Sequence, residues 1–151
     1  MKKFKFTLQA LYNYKLTVEK LQKAELSKAQ QALQELLDKE KKLLTAWENN
    51  KASLEEVLRK GENVAAALSE HDAYFRYLRG ALIEVRIEIA KAEEIVRECQ
   101  ERLILTMKEI KNYLKLRDEQ YEAYMKEVQA EEAKTMDDLV SFNVIRNQES
   151  T

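Results

Sequence analysis

Gly61-Glu62-Asn63-Val64-Ala65-Ala66-Ala67-Leu68-Ser69 is the one credible interruption in a sequence that otherwise has almost nothing to stop a helix. Gly61 and Gly80 are its only glycines, and proline is absent from all 151 residues. A chain rich in Lys, Glu, Leu, Ala and Gln and free of proline stays helical over long distances. No β-branched runs separated by turn clusters are present to argue for strands. The fold class is therefore all-α. Because the interruption falls near the middle, two arms of comparable length can fold back on each other as an antiparallel coiled-coil hairpin.

Working outward from that segment, helix 1 is expected over about 7–60, a turn segment over 61–69, and helix 2 over about 70–140, making one domain of 1–151. Arg59 and Lys60 suit a helix C-terminus, and Gly61 suits the left-handed position just beyond it. Ser69 is the expected N-cap of helix 2, with Glu70 and Asp72 in its first turn. On helix 1, Leu26, Ala29, Leu33, Leu36, Leu43, Trp47, Leu54 and Val57 follow the a/d spacing of a coiled coil, with Leu37, Leu44 and Leu58 widening the stripe. Leu11, Tyr14, Val18 and Leu21 keep that spacing offset by one residue, which predicts a local change of winding. On helix 2, Leu82, Ile89, Val96, Leu103 and Ile110 fall seven apart, beside Leu78, Val85, Ala92, Cys99, Thr106 and Tyr113. Gly80 within this helix suggests close approach of another backbone.

With the turn near residue 69, position i should face roughly position 138 − i, and each arm should extend about 80–100 Å. Trp47 is then expected near Ala92, and Tyr12 and Tyr14 near Tyr124 and Tyr121. The distal ends carry Lys15, Gln22, Glu25 and Arg117 near the seam and are expected to be weak.

Charged residues make up 35% of the chain, yet 26 basic against 27 acidic leaves a formal net of only −1. That balance lacks the basic stripe of a nucleic-acid binder. One cysteine, Cys99, excludes an internal disulfide and fits a reducing compartment; on the stripe it reads as a small buried apolar residue. No apolar run approaches the roughly 20 residues of a membrane span, so a cytoplasmic protein is expected. His71 is the only histidine, which excludes a Ser-His-Asp triad and the usual zinc motifs, and near a turn it reads as an exposed polar residue. Glu93, Glu94 and Glu98 lack Glu-x-x-His companions and read as a solvated face. No catalytic residue, cofactor site or metal site is expected.

The aromatics say more. Tyr74, Phe75 and Tyr77 crowd one turn of helix 2 and point around more than one face. They either pack on Val64–Leu68 or form an exposed patch for a partner, where Tyr is favoured. Ile83, Ile87, Leu105, Leu114 and Leu116 lie off the main stripe and suggest a second contact surface or self-association. Lys2, Lys3 and Lys5, alternating with Phe4 and Phe6, either touch an anionic partner or form a disordered tail.

Three stretches resemble the FliJ family, a soluble component of the bacterial flagellar type III export apparatus. They are Phe4-Lys5-Phe6-Thr7-Leu8-Gln9 with Leu11, Tyr74-Phe75-Arg76-Tyr77-Leu78 with Val85, and Glu131-Glu132-Ala133-Lys134-Thr135-Met136-Asp137-Asp138-Leu139. Ala81, where similar chains often carry a larger aliphatic, is the main departure. The resemblance implies a non-catalytic stalk and adaptor similar to the central stalk of rotary ATPases. Its free ends, about 7–25 and 118–140, would enter the ring of the export ATPase FliI. The part near the turn would contact the cytoplasmic domain of the export gate protein FlhA, placing the protein peripherally on the cytoplasmic side of the membrane. Export chaperones are further implied partners. The family's partner-contact positions carry over onto Leu43, Asn50, Tyr77 and Ala81. Trp47, from its size, and Tyr74, from the aromatic cluster, are added as candidates. A chaperone escort without a stalk role, and a structural spacer unrelated to secretion, are the competing readings.

Overall fold

The computed structural model describes residues 2–149. The outermost positions of the expected 1–151 domain, Met1, Ser150 and Thr151, lie outside the described residues. Two helices account for nearly all of it: α1 runs Gln9–Lys60 and α2 runs Val64–Glu149. The chain sorts into two compact units, Lys20–Ile104 and Met1–Glu19 with Leu105–Thr151. In each unit a stretch from the first part of the chain lies antiparallel to a stretch of α2.

The turn is tighter and earlier than expected. Only Gly61, Glu62 and Asn63 separate the helices. Gly61 takes φ 73° and donates its N–H to the Val57 carbonyl at 3.1 Å, the left-handed ending that glycine permits without a Cβ clash. Asn63 follows at φ 50°, and its carbonyl accepts the Ala67 N–H at 3.0 Å, so Asn63 opens α2. Asparagine tolerates the left-handed region better than most residues. Ser69 therefore sits inside α2 and caps nothing. The alanine-rich Val64–Leu68 segment forms the first turns of the helix, as its propensity favours. At its other end α2 continues past residue 140 to Glu149.

Within Lys20–Ile104 the seam is apolar. Leu82, Val85 and Ile89 are buried together, with Leu33, Leu36, Leu43 and Trp47 packed against them. Leu78 and Val85, each 1% exposed, are the most deeply covered side chains. All eight expected stripe residues of α1 from Leu26 to Val57 are half-buried, yet α1 contains no fully buried residue. One neighbouring helix covers only one side of another. Cys99 is buried on the α2 stripe as expected.

Earlier turn placement moves the register. Arg86 bonds Glu40 at 3.2 Å, His71 approaches Ser53 at 3.3 Å, and Lys15 meets Glu109 at 2.5 Å. A residue on α1 therefore faces a position about 12 residues earlier on α2 than expected, a slip of about 18 Å along the helix. Trp47 lies against Phe75, not Ala92, with ring centroids 4.5 Å apart. Tyr12 lies under the Arg117 guanidinium at 6.0 Å, and Tyr14 is exposed. His71, drawn inside α2 by the early start, is half-buried on the seam and not an exposed polar residue.

Of the offset set, Val18 is half-buried, whereas Leu11, Tyr14 and Leu21 are 49%, 62% and 61% exposed. Tyr12, Lys15, Glu19 and Gln22 are half-buried instead. Among these, the Gln22 Oε1 is buried without a hydrogen-bond partner. The Glu109 carboxylate raises the pKa of Lys15 above the usual lysine value, chiefly through their hydrogen bond. The contribution of that pair is therefore complete below the ordinary lysine range and fades as pH climbs through the raised value.

The first residues are not a loose tail. Phe6 is buried, Phe4 packs edge-on against Tyr121 at 5.2 Å, and the Tyr124 hydroxyl donates to the Lys2 carbonyl at 2.8 Å. Gly80 does not mark a backbone approach either, since nothing lies within 4 Å of where a Cβ would stand.

The two glycines should respond oppositely to alanine. Gly80→Ala should stabilise by about 1 kcal/mol through helix propensity, whereas Gly61→Ala should cost about 1 kcal/mol at its left-handed φ. Gln22→Leu should stabilise by about 1–2 kcal/mol by removing an unsatisfied buried acceptor. Thermal and urea melts followed by circular dichroism read all three.

Candidate functional site

Phe75, Tyr74 and Tyr77 divide their tasks by helical geometry. At about 100° per residue, Phe75 faces α1 and packs on Trp47 with an interplanar angle of 56°. Tyr74 and Tyr77, three apart, fall together on an outward face and stack at 6.1 Å and 19°. Tyr77 is 66% exposed and Tyr74 42%. The aromatic cluster thus supplies one packed ring and two that meet solvent.

Two grooves flank the seam here, one on each side. The first is lined by Leu43 on α1 and by Tyr77, Gly80, Ala81 and Val85 on α2, with Lys39, Arg76, Glu84 and Glu88 around it. Arg76 is held by Asp72 at 2.8 Å. The small residues Gly80 and Ala81 leave this groove open beside the projecting Tyr77 ring. The second groove is lined by Leu44, Trp47, Leu82 and Ile83, with Glu48, Arg79 and Arg86 at its edges.

The six candidate contact residues are therefore not one patch. Leu43, Tyr77 and Ala81 share the first groove, and Tyr74 adjoins it through its stack on Tyr77. Trp47 opens onto the opposite flank. Asn50 acts on the hairpin itself, donating its side-chain N–H to the His71 carbonyl at 3.1 Å. His71 contacts the Ala67 carbonyl of its own helix through Nδ1 at 2.7 Å and Ser53 of α1 through Nε2 at 3.3 Å, and the latter with the Asn50 bond ties the start of α2 to α1. Glu84 and Glu88 were missed by sequence reasoning. They continue Tyr77 and Ala81 at i, i+4, i+7 and i+11, and that period would have found them.

A second feature lies at the end of α2. From Gln129 to Glu149 every residue is exposed. Met136, Leu139, Val140, Phe142, Val144 and Ile145 are each at least half exposed. At helical spacing they surround most of the helix rather than forming one stripe. Charged residues, among them Asp137, Asp138 and Arg146, lie between them. The overhang is about 32 Å long at about 1.5 Å per residue.

Among the described residues no group of three or more His, Cys, Asp or Glu side chains could hold a metal, and no helix is long and apolar enough to cross a membrane. Arg97 bridges Glu94 and Glu101 on one exposed face of α2, which lowers the Glu94 carboxyl pKa through its hydrogen bond. These bridges join residues of a single helix.

These features define an all-α hairpin protein whose prominent surfaces are grooves and an apolar helix end. The chain matches the family described as Flagellar FliJ protein over residues 4–149 and belongs to that family. Membership implies a role connected with flagellar protein export. No curated protein and no solved structure matches the chain.

Exposed and packed aromatics should separate cleanly on mutation. Tyr77→Glu should leave helicity intact and change stability by no more than about 0.5 kcal/mol. Phe75→Ala should cost about 2–3 kcal/mol, less than a fully buried phenylalanine because the ring is half-covered. Urea denaturation with circular dichroism distinguishes them.

Proposed function

We propose that this protein is a non-catalytic stalk and adaptor of the flagellar export apparatus. It joins the export ATPase ring to the export gate on the cytoplasmic side of the membrane. The observation that carries the reading is the α2 overhang. Six large apolar side chains from Met136 to Ile145 stand exposed where no other element of the chain covers them. A surrounding ring supplies burial on all sides at once, which a flat surface does not. The ring is FliI, and the stalk enters it with this end and with the segment of α1 around Leu11, Tyr14 and Leu21.

The groove of Leu43, Tyr77 and Ala81, with Tyr74 beside it, is the gate-facing surface and receives the cytoplasmic domain of FlhA. Its exposed tyrosines offer large contact area with two rotatable bonds each. Export chaperones are escorted by the same protein while it is docked, and its membrane association is peripheral, through the apparatus. No residue enters ATP hydrolysis directly. The stalk favours the assembled ring, and turnover rises because assembled rings are more numerous.

Two variants test the separate halves of this reading. A chain ending at residue 131 should melt like the full chain and no longer stimulate the export ATPase. Tyr77→Glu should keep that stimulation and lose capture of the gate domain. Undiminished ATPase stimulation by the shortened chain would remove the stalk role and leave the escort reading.

A further inference from the structure

Between Gln9 and Glu19 the usual amphipathic arrangement of a surface helix is inverted. Every exposed position there is uncharged: Gln9, Ala10, Leu11, Asn13, Tyr14 and Thr17. Both charged residues, Lys15 and Glu19, are half-buried, beside Tyr12 and Leu16. A helix on a protein surface normally turns its charges to water and its large apolar side chains inward. Here Leu11 and Tyr14 stand in solvent while an ammonium and a carboxylate take the inner side.

Two phases of the same segment compete for that side. Leu11, Tyr14 and Val18 follow the three-four spacing of one stripe, and Tyr12, Lys15 and Glu19 follow it one residue later. One residue is about 100° of rotation about the helix axis. Turning the segment by that step brings Leu11 and Tyr14 inward, centres Val18, and sends Tyr12 and Leu16 out. One leucine and one tyrosine thus replace one leucine and one tyrosine.

The contacts peculiar to the observed phase are polar. Lys15 meets Glu109 at 2.5 Å, and the Arg117 guanidinium lies 6.0 Å over the Tyr12 ring. The Glu109 side chain is 47% exposed, and ion pairs so open to water contribute little. The α2 residues between these two contacts include buried Ile110 and half-buried Tyr113 and Leu114, an apolar surface that accepts either set. Residues 2–8 lie before α1 and leave its start free to turn, and a change of winding along the helix takes up the rotation at the other end.

We propose that this segment of α1 is a two-state element. In the free chain it exchanges between the observed phase, which offers Leu11 and Tyr14 to solvent, and a phase rotated by about 100° that lays them on Ile110 and Tyr113. Two packings of nearly equal apolar content are the condition for such a switch. A partner that grips Leu11 and Tyr14 binds only the first phase and selects it. The inference stands whether or not that partner is the ATPase ring.

Tyr12 and Tyr14 are native reporters that change places. Limited iodination of the full chain, read by tandem mass spectrometry, gives the Tyr14-to-Tyr12 labelling ratio, which exceeds one in the observed phase. Lys15→Leu adds an apolar side chain to that phase and should raise the ratio about threefold. Leu16→Lys combined with Glu109→Gln takes a leucine and the ion pair from it, and should lower the ratio about tenfold, to below one. Helical content by circular dichroism should stay unchanged in both. A double variant whose ratio falls to one without inverting has merely frayed, and that result overturns the proposal. A ratio unmoved by Lys15→Leu overturns it as well, and that single variant decides alone if the double one loses helix.

Discussion

Side chains of α1 and α2 that are distant in sequence meet in this molecule, and three residues at the turn set which of them pair. Gly61 leaves α1 in the left-handed region, and Asn63 starts α2 in the same region. Between them they reverse the chain within three residues. Once Leu78, Val85 and Ile89 are seated against α1, every other seam position follows at alternating steps of three and four. Lys15 and Gln22 lie half-buried while Leu11, Tyr14 and Leu21 stay in solvent. The same slip leaves α2 longer than its partner and exposes the apolar end.

Much of this architecture was legible in the sequence because heptad spacing is local information. The α2 stripe from Leu78 to Tyr113 and the α1 stripe from Leu26 to Val57 needed only side-chain period to be read. Register was not legible, because two heptad stripes fit each other equally well at several offsets seven residues apart. Only the turn chooses among them, and Ser69 offered a plausible cap that competed with Asn63. A left-handed asparagine two residues after a left-handed glycine is not something that propensity alone gives a reason to prefer. The alanines of Val64–Leu68 were the available signal, since they favour helix over turn.

The candidate site was legible in part for the same reason. Tyr77 and Ala81 lie on one face because they are four apart, and that follows from the sequence. That Leu43 joins them while Trp47 turns to the other flank depends on register and on one helical step between neighbours. Asn50, expected as a partner contact from the family resemblance, bonds the His71 backbone carbonyl, a partner that no pattern of side chains reveals. Arg86 meets Glu40, and Arg79 lines a groove with Leu44 and Trp47, only because of the offset between the helices.

The position of the turn also governs the order in which the hairpin can close. Ser53 and His71 are separated by 18 residues, Glu40 and Arg86 by 46, and Lys2 and Tyr124 by 122. Joining the outermost pair in one event would cost about 1.7 kcal/mol more in loop entropy than joining the innermost. Zippering outward from Gly61–Asn63 avoids that cost, because each layer is closed by the one before it. During synthesis α1 emerges first with an apolar stripe and nothing to lay it against. Its outermost contacts, at Phe4 and Lys2, must wait until Tyr121 and Tyr124 have left the ribosome.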